Sequence, residues 1–183
     1  MSVVALVALL ALLGASEASS ARDLAPWASL RRPLRHVPIA AGARCPTSPR
    51  RALDAGRVSG GGAGPVYPLP SGFGAYGRRP GWIASKALWA WPSRLTSHPI
   101  RVLVRGFRLD RPGVMRFQLG PDWDSAPVTA ELRITTSDTV GSFGGSSWGS
   151  TVTMLLVQER GCYAVQLDTA GGSTTVVVDA TKS

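Results

Sequence analysis

Residues 151–180 read TVTMLLVQERGCYAVQLDTAGGSTTVVVDA, and this stretch decides the fold. Three runs, Thr151 to Gln158, Cys162 to Thr169 and Ser173 to Ala180, are rich in β-branched and aromatic residues. They are separated by Glu159-Arg160-Gly161 and Ala170-Gly171-Gly172, links of hairpin length. The spacing predicts three consecutive antiparallel strands, because two-to-five-residue links containing Gly return a chain directly alongside itself.

Moving upstream, the same period of two recurs. Ile100 to Phe107 places Ile100, Val102 and Val104 on one face and Arg101, Leu103 and Arg105 on the other. Asp110-Arg111-Pro112-Gly113 ends that run with turn residues, and Val114 to Leu119 follows. Ala130 to Thr136 alternates Leu132 and Ile134 against Glu131 and Arg133, and Ile83 to Trp91 supplies the earliest run. A Gly/Ser-rich loop is expected over Ser137 to Ser150. Seven short strands without a helical period predict an all-β fold, a seven-stranded antiparallel immunoglobulin-like sandwich, with a small β-barrel as the second choice.

Before Trp82 the pattern is lost. Residues 22–81 carry nine prolines and the run Gly60-Gly61-Gly62, which predicts an irregular arm with Val66 to Pro70 lying as polyproline II against a domain spanning 82–183. With 21 Gly and 14 Pro in 183 residues, a long helical bundle is excluded, and the length allows one ordinary domain. Of the 20 basic residues, 18 are Arg and the chain has no Asn, a bias that fits GC-rich coding. The net charge of +9 is concentrated in the arm, where residues 22–79 hold ten basic and two acidic groups. Such a segment can adsorb to anionic wall polymer without specificity, and export argues against nucleic acid as the partner.

The N-terminus reads as an export signal over residues 1–21. Val3 to Ala15 is uncharged and apolar, and the small-residue run after it offers Ala-Ser-Glu-Ala and Ala-Ser-Ser-Ala as cleavage sites. The apolar run is shorter than the roughly 20 residues of a membrane span, so no stable span is expected. Cys45 and Cys162 are the only cysteines, and in an oxidising compartment the pair is expected to bond. Two Cys and two His at these separations do not form a zinc site of recognised spacing, and no cofactor is expected.

Several pieces together, Gly64-Pro65-Val66-Tyr67-Pro68, Lys86-Ala87-Leu88-Trp89, Val102-Leu103-Val104-Arg105-Gly106 with Leu109-Asp110, Leu132-Arg133-Ile134 and Gly161-Cys162-Tyr163-Ala164, cover much of the chain. On these the sequence resembles a family of small uncharacterised exported proteins of GC-rich bacteria. The resemblance implies a secreted, disulfide-tied β domain and no activity.

Candidate chemistry is sparse. Gly145-Ser146-Ser147-Trp148-Gly149 matches a hydrolase nucleophile pattern, but a strand follows it where a helix is required, and both His36 and His98 precede the serine. No catalytic residue is assigned, and an extracellular hydrolase using Ser147 and loop carboxylates is the alternative reading. Asp122 and Asp124 flank Trp123 in a Pro-bounded loop, a possible ligand contact that falls short of the six or so oxygens calcium needs. Trp89 and Trp91 share a strand face and are expected in the core. Trp148, in the Gly/Ser loop, is the indole expected to be free for stacking on a glycan. Tyr163, after a Gly-containing turn, suits a tyrosine corner. The favoured function is an exported, non-catalytic binding or structural module at the cell envelope.

Overall fold

The computed structural model describes residues 25–40, 43–120, 125–143 and 147–181. The expected signal segment lies outside them. The chain divides after Arg31 into two compact units, and everything below concerns the second, which begins at Arg32.

Thirteen strands are present among the described residues: β1 Arg50–Leu53, β2 Val58–Gly61, β3 Tyr67–Pro70, β4 Gly74–Ala75, β5 Ile83–Pro92, β6 Arg101–Arg108, β7 Met115–Leu119, β8 Val128–Thr129, β9 Glu131–Thr135, β10 Gly141–Phe143, β11 Trp148–Val157, β12 Cys162–Thr169 and β13 Gly172–Asp179. They form two antiparallel sheets and a separate hairpin. The first sheet runs β3-β5-β11-β7-β8, with β4 beside β5 and β10 beside β11; the second runs β13-β12-β6-β9; β1 pairs with β2 alone. The fold is therefore all-β. One helical turn, Arg94–Ser97, bridges β5 to β6.

The core lies between the sheets. Trp89, Phe117 and Leu155 from the first sheet and Val104, Val165 and Val178 from the second share one buried cluster. Their parity follows the alternation in the sequence. All seven runs with a period of two are strands, and Cys162–Thr169 has the expected bounds. Of the two expected hairpins, β12–β13 is formed, whereas the link 159–161 crosses between the sheets, because β5 and β7 occupy the two flanks of β11. The Gly/Ser loop over 137–150 is partly strand, since Gly141–Phe143 pairs back onto Trp148–Ser150.

The arm differs from expectation. Residues 50–75 contribute four strands, and Val66 to Pro70 is mostly an edge strand, with Tyr67 opposite Ala90 and Leu69 opposite Leu88. Pro68 and Pro70 are tolerated because an edge strand needs ladder donors on one side only. The domain thus starts well before residue 82.

The first part of the arm also lies on the domain. Leu103, Ala164, Gln166 and Asp168 point away from the core by parity, yet each is 0 % exposed. Residues 32–40 and 43–48 lie over this face as a strap. The amide of Gln166 binds the strap backbone as another peptide group would, with Nε2 donating to Pro33 O at 3.1 Å and Oε1 accepting from Arg35 N at 2.8 Å. Arg32 donates to Thr169 O and Ala170 O, Arg105 donates to Arg32 O, and the His36 ring sits 4.9 Å from Phe107. Val177 N donates to Ser48 Oγ at 2.8 Å at the far end. Between these anchors the Cys45–Cys162 disulfide is formed, with Cα atoms 5.4 Å apart.

Candidate functional site

The β1–β2 hairpin lies over the outer face of the first sheet. Leu53, Tyr67 and Ala90 form a small buried cluster there, with Val58, Leu69, Phe143 and Trp148 packed against it. Gly60 permits the approach, since a Cβ on it would lie 2.6 Å from Tyr67 Cβ. The turn between the two strands places Asp54 and Ala55 at φ 47° and 53°, the left-handed region that side-chain-bearing residues seldom adopt. Strain of this kind costs on the order of 1–3 kcal/mol per residue and persists where packing holds it.

Where the hairpin tip meets the start of β11, a cleft of about 690 Å³ opens, lined chiefly by Arg51, Asp54, Tyr67, Arg94, Ser147 and Trp148. Its floor is aromatic. Trp148 pairs in register with Phe143, the rings nearly parallel at 9° with centroids 5.9 Å apart, and meets Tyr67 edge-on at 6.0 Å. Trp148 remains partly exposed. Arg51 lies over the Tyr67 ring at 5.9 Å and donates to its hydroxyl at 3.3 Å, which orients one guanidinium beside the aromatic floor. Arg94, on the helical turn after β5, is exposed on the rim.

The remaining indicated residues are placed as follows. Trp89 and Trp91 are fully buried; Trp89 donates to Thr153 Oγ1 at 2.8 Å and Trp91 to Thr96 Oγ1 at 3.3 Å. Ser147 is exposed at the cleft, directly before β11, so it lies in no strand-to-helix elbow. Asp122, Trp123, Asp124, Gly145 and Ser146 lie outside the described residues. Among the described residues no group of three or more His, Cys, Asp or Glu is placed to hold a metal, and no helix is long and apolar enough to cross a membrane.

Two ionic clusters lie away from the cleft, one around the buried Arg108 with its exposed partners and one around the buried Asp168. Tyr163 donates its hydroxyl to Glu159 O at 2.9 Å, four residues upstream, the bond that closes a tyrosine corner. Its ring faces the Arg108 guanidinium at 5.5 Å. Arg108 in turn binds Asp110 at 2.7 Å, Glu159 at 2.6 Å and Arg160 O at 2.6 Å. A Cβ on Gly161 would fall 2.5 Å from Arg108 Nη2, which explains why glycine precedes Cys162. The Arg108 bonds hold the Asp110 carboxyl below the ordinary range, and burial raises the Tyr163 hydroxyl. Under the strap, burial pushes Asp168 upward, but hydrogen bonds from Ser173, Arg105 and Gln166 outweigh it and leave the carboxyl below its usual value.

Sequence reasoning singled out Trp148 and took Arg51 only as one of the arm's basic residues; it gave Tyr67 and Phe143 no part in a site. Tyr67 stood in a Pro-flanked stretch, and its pairing with β5 brings it to Trp148 across 81 positions of chain. Comparisons with protein families, curated proteins and solved structures return no match to this chain.

Proposed function

We propose that this chain is an exported, non-catalytic binding module of the cell envelope that takes an anionic glycan or wall polymer at the Trp148 cleft. The observation that carries the reading is the partly exposed indole, held parallel to Phe143 and edge-on to Tyr67 at the floor of an open cleft. Such a floor presents apolar area to the C–H face of a sugar ring. Arg51, Asp54, Arg94 and Ser147 surround it with polar groups that can fix a ligand's orientation. Arg51 and Arg94 supply planar forked donors suited to carboxylate or phosphate groups. The disulfide suits an oxidising compartment, and the rigid sheet beneath the site suits binding with little rearrangement.

The test is sedimentation of the purified protein with cell-wall material, followed by fluorescence titration with soluble polymer fragments. Trp148→Ala should weaken binding by about tenfold or more, a loss of roughly 1.4 kcal/mol. Ser147→Ala should leave it unchanged. Equal binding by Trp148→Ala and the parent would overturn the assignment, and polymer turnover abolished by Ser147→Ala would replace it with a hydrolase.

A further inference from the structure

A second cleft, of about 660 Å³, lies where β11 and β9 approach, and its origin is legible in the strand register. Strand β11 is paired on one flank by β7 over Thr153–Val157 and by β10 over Trp148–Ser150. Thr151 and Val152 fall between the two partners, and both line the opening. The opposite wall comes from β9, the last strand of the second sheet, through Ile134, a residue of the shared core. The gap is therefore a mouth leading from solvent toward the space between the sheets.

The mouth has an unusual apolar rim. Leu119 and Val140 are 46 % and 69 % exposed, two of the four large apolar side chains left exposed among the described residues, and both line this cleft. Solvent contact for these side chains is unfavourable by about 25 cal/mol per Å², so their convergence on one opening marks it as a place for apolar contact. Its polar groups are few. Lys86 is exposed, and its ammonium makes no hydrogen bond or ion pair among the described residues, Arg133 has contacts of its own, and Asp138 accepts from Ser137 Oγ at 3.1 Å. Among the described lining residues, the Lys86 ammonium is the cation available to a ligand's charge.

We propose that this mouth binds the single acyl chain of an anionic amphiphile, with the chain against Leu119, Ile134, Val140 and Val152 and the headgroup paired with the Lys86 ammonium. An apolar tail suits an opening lined by Leu119, Val140 and Val152, and an anionic headgroup suits the exposed Lys86 ammonium beside it. The volume is within the range of small-molecule sites. The proposal stands apart from the Trp148 reading, since the two clefts share no lining residue.

Calorimetric titration of the oxidised protein with hexadecanoate below its micelle threshold tests it, with the uncharged monoacylglycerol of the same chain as control. Saturable one-to-one binding with a negative heat-capacity change is expected. Val140→Asp, at a largely exposed position that should not disturb folding, is expected to weaken both ligands by about tenfold or more. Lys86→Glu should weaken hexadecanoate to a similar degree and leave the uncharged ligand unchanged. Absence of saturable binding overturns the proposal, as does binding indifferent to Val140→Asp. A dimer by light scattering that Val140→Asp dissociates would also overturn it, by assigning the mouth to a second copy of the chain.

Discussion

Replacing Gln166 with Leu tests whether the strap is an integral third layer. The side chain is fully buried and makes three hydrogen bonds: to Pro33 O, from Arg35 N and to Asp168 Oδ1. Leucine has nearly the same size, so the substitution removes these bonds while largely preserving packing. Each intramolecular bond contributes about 0.5–1.5 kcal/mol net, which gives roughly 2–4 kcal/mol for the set. The upper end is limited by the strap itself, because if residues 32–40 lift, Pro33 O and Arg35 N recover hydrogen bonds from water. Their release is opposed by burial of Leu103 and Ala164 beneath them. The C-terminal end stays fixed through Cys45 and Ser48.

Two readouts separate local from global effects. Urea unfolding of the oxidised protein should show the loss in stability, equivalent to a melting temperature lower by about 6–12 °C for a domain of this size. Amide exchange should show loss of protection at Arg35 before any loss in β12. Gln166→Glu should cost more, because it replaces the donor facing Asp168 with a second carboxylate. Unchanged exchange at Arg35 with a stability loss under about 0.5 kcal/mol in Gln166→Leu would refute the argument, since buried hydrogen bonds are not lost at so small a cost.

The remaining predictions address the other anchors. Cys45→Ser with Cys162→Ser opens a cross-link spanning 117 positions, and the loop-entropy relation gives a destabilisation of about 3–5 kcal/mol in denaturant titration with the sheet pairing retained. Gly161→Ala should cost about 1–3 kcal/mol by thermal unfolding, because the new methyl displaces a guanidinium pinned by Asp110 and Glu159. Asp168 and Asp110 both have carboxyls held below their ordinary value in the fold. The unfolded chain therefore binds more protons as pH falls, so their stabilisation is present above the unfolded value near 3.8 and is lost as pH drops through the lower folded values. Urea midpoints measured from pH 7 downward should fall steeply below about pH 4, and less steeply in Asp168→Asn.

The strands and their order in the chain were legible because alternation is a local signal. Val102, Val104 and Arg101 declare their faces locally, and the link at Gly171-Gly172 declares the pairing of β12 with β13. The equally short link at Gly161 misleads, because it carries the chain from one sheet to the other: β11 pairs with β5 and β7, and β12 with β13 and β6. What alternation does not report is whether a third layer covers the outward face. Leu103 shares its face with Arg101 and Arg105, and Gln166 lies on the corresponding face of β12, yet both are buried, and Gln166 is bonded to Pro33 and Arg35 far upstream in the chain. The N-terminal strands were illegible for a different reason. In β1 only Leu53 is buried, and β4 has two residues, so no period exists to be read. Such short strands form because β5 presents an edge and the outer sheet face presents apolar area. Trp148 was legible as an isolated exposed indole, but its site depends on Tyr67 and Arg51, which only tertiary pairing brings near.

The covered faces also constrain where binding can occur. An antiparallel sandwich commonly leaves its outer faces wet, and a long strand face is then the obvious platform for a ligand. Here the strap occupies that face of the second sheet and the β1–β2 hairpin covers much of it on the first. The sites that remain are at the limits of this covering: the hairpin tip, where Trp148 is partly uncovered, and the break in β11 pairing at Thr151 and Val152. The same layer changes the reading of the basic arm. Arg35 and Arg44 are exposed but belong to a segment tied down by Gln166 and Cys45, so their charges sit at fixed places on the surface. A flexible arm would gather polyanions by charge alone and release them as salt screens it. At the proposed Trp148 site the cations are Arg51 and Arg94, also held by ordered elements. Cations fixed beside aromatic rings favour a ligand whose charges and rings match their spacing, so that binding there should retain a part that salt does not remove.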